Sequence, residues 1–512
     1  MSEASIPAVR PPDVTGHWTG LLRRSQWLSP ALAILLVALV RSFSPTGVDQ
    51  SVLMTWTERL FDGGRPYVDF VEINPPGSIM LYVPAVLLGR ASGLSSEVIV
   101  VVLMCGLIAL SLYLSGLILR DARTLDAHDR PTLLAVTVLI LGAMPAVAFA
   151  QREHVGIVAL LPLLSIAAAA IANSRPAFWL RGLAGLLAGL AMVAKPHFAL
   201  LIAGIMIHTA LATRRLRPMI EVQWITAAAV VAAYFAYTYW AYPEFYSTAL
   251  PRIADVYLGW RLGMDRMAIN PVLPIVAISA ILLRRVHAVR PLSQATLLLA
   301  TTCLLAVAVF FIQGRGWPYH ALPALTAAAL GLGFEATRRK SELPMPLQSN
   351  MLMATAAITL VAYAWCFKDH DRNLDEISSL VTQTHARPGI IAIAEDISVG
   401  HPLVRRVEGR WAHRFTHLWT AGGVIRQLNA NTPPSAERSA RLLAHLATEI
   451  DELAQSMHRE RPDIILAQTG FSERREFNWL EWAQNQPQLA RELENYDTAG
   501  RIGDIEILKR KN

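Results

Sequence analysis

Apolar runs of membrane-crossing length recur through the first 367 residues, separated by short polar turns. A helix needs about 18 or more mostly apolar residues to cross a bilayer. The pattern predicts about eleven spans, at 27–43, 97–119, 131–149, 154–173, 182–195, 197–213, 220–240, 268–283, 292–312, 318–336 and 349–367. The run 182–195 is short, and Lys195-Pro196 marks its boundary with the next. Residues 77–91 are apolar but short, and crossing there would reverse the sidedness of every later turn. They read instead as a helix lying in the outer interface, started by Pro75-Pro76. Residues 50–61 read as a second such helix, with Leu53, Trp56 and Leu60 on one face.

After Phe367 the pattern becomes that of a soluble domain. Gly389 to Ala394 and Asp463 to Ala467 read as buried strands, Ser435 to Arg461 as a long amphipathic helix, and Ile502 to Leu508 as a last strand. The expected fold class is a polytopic α-helical membrane protein with outer interfacial helices and a C-terminal soluble α/β domain. Its parts are a cytoplasmic tail 1–26, a transmembrane domain 27–367 with a first outer loop at 44–96, and an extracytoplasmic domain 368–512.

Composition agrees: the 512 residues are 53% hydrophobic and 17% charged, with a mean hydropathy of +0.37. The pI of about 9.4 suggests nucleic acid, but the placement of charge excludes it. Residues 1–367 hold 27 Lys+Arg against 18 Asp+Glu, whereas 368–512 hold 19 against 21. The surplus lies in short turns: Arg23-Arg24; Arg120, Arg123 and Arg130; Arg175 and Arg181; Arg214-Arg215 and Arg217; Arg284-Arg285 and Arg290; Arg338-Arg339-Lys340. All six clusters fall on one side if the spans alternate, and that side is cytoplasmic. Arg23-Arg24 before Trp27 to Val40 reads as a retained signal anchor. Cys105, Cys303 and Cys366 form no disulfide framework. No Walker loop, dinucleotide fingerprint or Cys/His metal spacing occurs, and Gly185 with Gly189 reads as helix packing.

The unusual polar residues gather on the outer side. The first loop carries Asp49, then Asp69 and Glu72 in Gly64-Arg65-Pro66-Tyr67-Val68-Asp69-Phe70-Val71-Glu72-Ile73-Asn74-Pro75-Pro76. Gln151-Arg152-Glu153-His154, Lys195-Pro196-His197 and Gln313-Gly314-Arg315-Gly316-Trp317-Pro318-Tyr319-His320 occupy three later turns. These could surround one cavity. Cations would hold a lipid phosphate and stabilise the leaving group. A carboxylate would take the proton of an acceptor hydroxyl. A divalent metal (Mg, Mn or Ca) could bridge carboxylate and phosphate, with Asp69 and Glu72 as its ligands. Structural alternatives stand beside each role: Asp49 as a helix cap, Asp69 in a surface ion pair with Arg65, Lys195 snorkelling to the interface. In the soluble domain His401, Arg405-Arg406, Trp411, His413, Arg414 and Trp419 suit either acceptor binding or a folded core.

An Asp soon after the first span, a long first loop with two surface helices, and the Tyr67-Val68-Asp69…Pro75-Pro76 segment resemble the GT-C membrane glycosyltransferases. Those include protein O-mannosyltransferases, aminoarabinose transferases of lipid A and rhizobial lipopolysaccharide sugar transferases. The resemblance implies a glycosyltransferase of the bacterial inner membrane, its active site and C-terminal domain facing the periplasm. The donor would be a polyprenyl-phosphate sugar and the acceptor a hydroxyl of an envelope glycan, lipid or protein. It implies Asp49 as the base, with Asp69 and Glu72 as further acids of the catalytic set. The family often has a second acid beside the first, where this chain has Gln50. Some relatives have Lys before the prolines, where this chain has Asn74. Phosphate binding then falls to Lys195, Arg152, His154, Arg315 and His320. Two other functions fit the sequence less directly: a transporter or flippase for lipid-linked sugars, and a non-catalytic partner in envelope polysaccharide assembly. A transporter would be expected to show paired repeats and a mid-membrane site.

Overall fold

The computed structural model describes residues 28–121, 130–338, 342–367, 373–472 and 475–511. The tail 1–26 with Arg23-Arg24, and Trp27, Arg123, Arg339 and Lys340, lie outside the described residues.

Helices stand at all eleven predicted positions. The loop after α1 adds α2 (Val48–Phe61), a turn at Gly77–Met80, and α3 (Val83–Ser92), the last two broken at Leu81-Tyr82. The bundle proper comprises α1 (Leu28–Ser42), α4 (Ser96–Asp121), α5 (Arg130–Ala143), α6 (Arg152–Ile171), α7 (Phe178–Ala194), α8 (Phe198–Thr213), α9 (Val222–Ala241), α11 (Val272–Val289), α12 (Gln294–Gln313), α13 (Leu322–Thr337) and α14 (Met345–Phe367). A short helix α10 (Leu250–Val256) lies in the loop before α11. Five of these, α4, α6, α11, α12 and α14, are long and apolar enough to cross a membrane.

Several boundaries move for local reasons. The predicted 131–149 span stops at Ala143, because Pro145 and the left-handed Ala146 (φ 46°) turn the chain into a 3₁₀ turn. The 182–195 span starts earlier, at Phe178, and is long enough for four turns. The 268–283 span shifts to 272–289 and carries Arg284 and Arg285 inside its last turns.

Nearly every position of α6 is buried, as expected of a helix apolar on all sides at the centre of a bundle. Gly185 and Gly189 let α7 approach α9: a Cβ on Gly185 would lie 2.2 Å from Gln223 O, and one on Gly189 2.6 Å from Val230 Cβ.

The C-terminal part holds α15 (Leu374–Thr384), α16 (Trp419–Leu428), α17 (Ala436–Glu460) and seven strands. They are β1 (Gly389–Ile393), β2 (Arg410–Trp411), β3 (Ile464–Gln468), β4 (Phe471–Ser472), β5 (Arg475–Glu476), β6 (Tyr496–Ile502) and β7 (Ile505–Arg510). The main sheet has the order β2-β1-β3-β7-β6, parallel across β2-β1-β3 and antiparallel thereafter. Ile502 to Leu508 is therefore not one strand. It contains the turn of a hairpin, made by Gly503 at φ +60°. The apolar alternation of β7 hid that turn, and exposed, polar β6 gave no strand signal.

The soluble domain sits on one end of the bundle and is clamped there. Arg405 donates to both carboxylate oxygens of Glu58 (2.6 and 2.9 Å) and to Glu97 (2.6 Å). Arg59 donates to His413 O at 3.0 Å, and Arg414 O accepts from Val71 N at 2.8 Å. Arg252 pairs with Glu452 at 3.0 Å and stacks on Phe415. His401, Trp411 and His413 are buried in the domain. Much of the aromatic-basic stretch thus serves core and clamp.

Because α4 starts at this clamp and ends at Arg120, successive helices place Arg181, Arg214, Arg290 and Arg338 at Arg120's end. There Glu221 pairs with Arg181 (2.9 Å) and Glu335 with Arg290 (3.0 Å).

Candidate functional site

Four short breaks in helical structure aim polar side chains at one point below the soluble domain. The first is the start of α2. Gly47 has no room for a side chain, since a Cβ would lie 2.2 Å from Val147 O. Gln50 Oε1 accepts from Gly47 N at 3.2 Å and caps the helix, which frees Asp49 from that task. The second is the start of α6, where Arg152 occupies the first turn. Its Nη2 donates to Asp49 Oδ2 and its Nη1 to Ser78 Oγ, both at 3.2 Å.

The third is the α7–α8 junction. A residue before proline is driven out of the helical region, and Lys195 is extended (φ −151°, ψ 108°). Its Nζ turns inward to Glu153 Oε1 at 2.7 Å. The same carboxylate oxygen lies 3.5 Å from His320 Nε2. The fourth is the loop after α12, where Gly314 (φ +65°) and Gly316 (φ +67°) adopt the left-handed conformation on either side of Arg315. The Arg315 guanidinium lies 4.4 Å from the Tyr257 ring centre, 4.9 Å from Trp317 and 5.6 Å from Trp260. Such a cage fixes a cation while leaving its edge N–H groups directional.

These residues line one cavity of about 230 Å³ between the bundle and the soluble domain. Asp49, Glu72, Arg152, Lys195, His197, Arg315 and His320 all face it, so groups from the four breaks meet one from the loop between α2 and Gly77. Asp49 keeps 20% of its side-chain surface exposed, against 4% for Arg152 and 2% for Glu153. Glu72 is buried, and its Oε1 accepts from Asn74 N (2.9 Å) and Asn74 Nδ2 (2.5 Å). Burial pushes its carboxyl above the usual carboxylate range, opposed by nearby Arg152 and the Asn74 hydrogen bonds.

Two predicted residues are not brought to the cavity. Asp69 is exposed, and its Oδ2 accepts from Arg65 N at 2.7 Å inside a tight turn. The Arg65 side chain pairs with Glu244 instead, at 2.6 Å. His154 is buried beside the cavity but turned from it. Its Nδ1 accepts from Ala150 N at 3.0 Å, which steadies a left-handed residue (φ 65°), and its ring packs on Phe149. Asp69 and Glu72 therefore do not share a site. Among the described residues no three His, Cys, Asp or Glu side chains converge as a metal site would need.

Apart from Trp419, already singled out in the aromatic-basic stretch, the remaining wall comes from residues that sequence reasoning passed over. Tyr257 and Trp260 belong to the loop between α10 and α11. Glu395, Thr416, His417 and Trp419 belong to the soluble domain. Trp260 and Trp419 stack at 6.3 Å with planes 10° apart, and Trp260 Nε1 donates to Trp419 O at 3.0 Å. Glu395 accepts from Arg426 at 2.7 Å. One signal pointed here: Glu395-Asp396 follow β1, and ligands collect at the carboxyl ends of parallel strands. Glu153 was visible in the sequence, in the Gln151 to His154 turn, but was given no role of its own.

No family model and no curated protein matches the chain. Among solved structures, ArnT from Cupriavidus metallidurans in the apo state is similar over 97% of this chain and 98% of that chain. The TM-score is 0.53 and the sequence identity 13%. Arabinofuranosyltransferase AftD from Mycobacteria is similar over 96% of this chain and 40% of that chain, with a TM-score of 0.45 and 13% identity. The likeness to ArnT extends through both the helical bundle and the C-terminal domain. At this identity it shows a shared fold alone.

Proposed function

We propose that this protein is a membrane glycosyltransferase that moves a sugar from a polyprenyl-phosphate donor to a hydroxyl of an envelope glycan, lipid or protein, on the extracytoplasmic face. The observation that carries this reading is the meeting of Asp49 with Arg152, Lys195 and Arg315 around one cavity of about 230 Å³. ArnT-like architecture supports it.

In this reading the donor phosphate lies among Arg152, Lys195 and Arg315. Asp49 accepts the proton of the acceptor hydroxyl as that oxygen bonds to the anomeric carbon. The bond from that carbon to the phosphate oxygen breaks, and its electron pair leaves with polyprenyl phosphate. The cations balance the charge that develops there, and Asp49 passes its proton to water. Attack opposite the leaving group inverts the anomeric centre. Glu72, held by Asn74, orients the acceptor hydroxyl. Trp260 and Trp419 offer flat apolar faces to the sugar ring. An acid that takes a proton must reach it directly or through one water, and Asp49 is the acid that best keeps such access.

A membrane assay with a panel of polyprenyl-phosphate sugars, reading free polyprenyl phosphate, tests the reading. Release with at least one donor, dependent on an envelope acceptor fraction, is expected. Binding of lipid-linked sugars with transport and no release would favour a transporter.

A further inference from the structure

A second cavity, of about 220 Å³, opens at the end of the bundle opposite the soluble domain. It forms where α6 and α8 stop and α7 and α9 start. Asn173 (φ 57°) turns the chain out of α6 and Arg214 (φ 52°) out of α8, both in the left-handed conformation. Asn173, Ser174, Arg175, Arg181, Arg215 and Glu221 make the polar wall. Three guanidinium groups there meet one carboxylate, a surplus of two positive charges. The Arg181 side chain is only 8% exposed. Its Nη1 donates to Glu221 Oε2 at 2.9 Å, and its buried Nε has no hydrogen-bond partner among the described residues. Arg175 reaches Glu221 Oε1 only at 4.0 Å, and Arg215 pairs with no carboxylate among the described residues.

One carboxylate shared by two arginines leaves N–H donors and positive charge unmatched. An anion supplies acceptors and charge together, and the guanidinium fork fits the oxygens of a phosphate. The volume is below the about 300–1,000 Å³ of pockets for drug-sized ligands, which suits one phosphate with a small headgroup. Phe178, Trp179, Leu211 and Leu216, chain neighbours of the lining residues, are large apolar side chains left exposed. Apolar and Trp side chains at helix ends mark the membrane interface, so the mouth of the cavity lies at headgroup level. We propose that this cavity binds the headgroup phosphate of an anionic phospholipid from the leaflet on this side. Arg152 and Ala170 stand about 27 Å apart along α6, so a phosphate held among Arg152, Lys195 and Arg315 cannot serve this site as well.

The test uses the purified full chain, equilibrated with equal dioleoyl-phosphatidylglycerol and dioleoyl-phosphatidylcholine and read by native mass spectrometry. Each cation beside an anionic headgroup is worth about fivefold, so the two in surplus give roughly 25-fold enrichment of phosphatidylglycerol in the tightest-bound lipid. Arg175→Gln and Arg215→Gln, at exposed side chains that leave the core intact, should each lower that enrichment about fivefold. Arg214→Gln removes the same charge from a chain neighbour that does not line the cavity, and should leave the enrichment unchanged. Inorganic phosphate in excess should not displace the lipid. Equal loss in Arg214→Gln and Arg215→Gln would mean a diffuse basic surface, and displacement by inorganic phosphate would mean a soluble ligand. Either result, or parity of the two lipids on the unaltered protein, would overturn the proposal.

Discussion

Replacing Arg405 with Met should undock the C-terminal domain from the bundle. Arg405 is 13% exposed and makes three charge-assisted hydrogen bonds, two to Glu58 and one to Glu97. A hydrogen bond to a charged partner contributes about 1.5–3 kcal/mol, which would suggest a large sum. Both carboxylates are partly exposed, at 34% and 29%, and water recovers part of that loss. Methionine also keeps the apolar stem contacts. The net expectation is about 2–3 kcal/mol, or roughly 30- to 150-fold in the docking equilibrium. Amide hydrogen exchange over residues 54–62 and 403–415 should rise by that factor. Arg406 supplies the control, because its pair with Asp375 is 50% and 80% exposed. Arg406→Met should change exchange by less than about 1 kcal/mol equivalent. Equal exchange in the two variants would refute the clamp.

Lys195→Met should destabilise the protein by about 3–5 kcal/mol, because it leaves the Glu153 carboxylate buried without its partner. Adding Glu153→Gln should recover much of that loss, as a double-mutant cycle of thermal unfolding would reveal. Gly259→Ala would bring a Cβ within 2.0 Å of Gly423 O, so it should open the seam beside Trp260 and cost about 1–3 kcal/mol in the same assay. Acidification should weaken the soluble domain. His413 is fully buried, and burial with nearby Arg59 holds its pKa down to about 3, against an ordinary 6.5. Between those values the unfolded chain binds the proton and the folded chain does not. Its share of the stability is thus full above pH 6.5 and falls below it by about 1.4 kcal/mol per pH unit. His413→Gln should lower the slope between pH 6.5 and 5 by about 1.4 kcal/mol per pH unit, while the buried His401 and His417, held down in the same way, keep the rest.

The bundle was legible because apolar length alone marks a membrane helix, and each break coincides with a polar cluster at a helix end. Much of the candidate site followed from the same rule, since Asp49, Arg152, Lys195 and Arg315 each sit where a helix starts or stops. Its far wall was not legible. Glu395, Thr416 and His417 reach the cavity only when the soluble domain docks, a contact between residues far apart in the chain. Asp69 and Glu72 looked equivalent in the first loop. The turn at Arg65 sends Asp69 to solvent, whereas Glu72 is drawn inside by Asn74. The hairpin at Gly503 was missed because β6 is polar on both faces.

The central claim is that Asp49 removes the acceptor proton in a cavity whose cations hold the donor phosphate. The most direct measurement compares polyprenyl phosphate release by the unaltered protein and Asp49→Asn, in the same reconstituted membranes with the same donor. The account predicts a loss of about 10²- to 10⁴-fold in turnover, with donor binding and thermal stability nearly unchanged. Turnover by Asp49→Asn at the unaltered rate would contradict it.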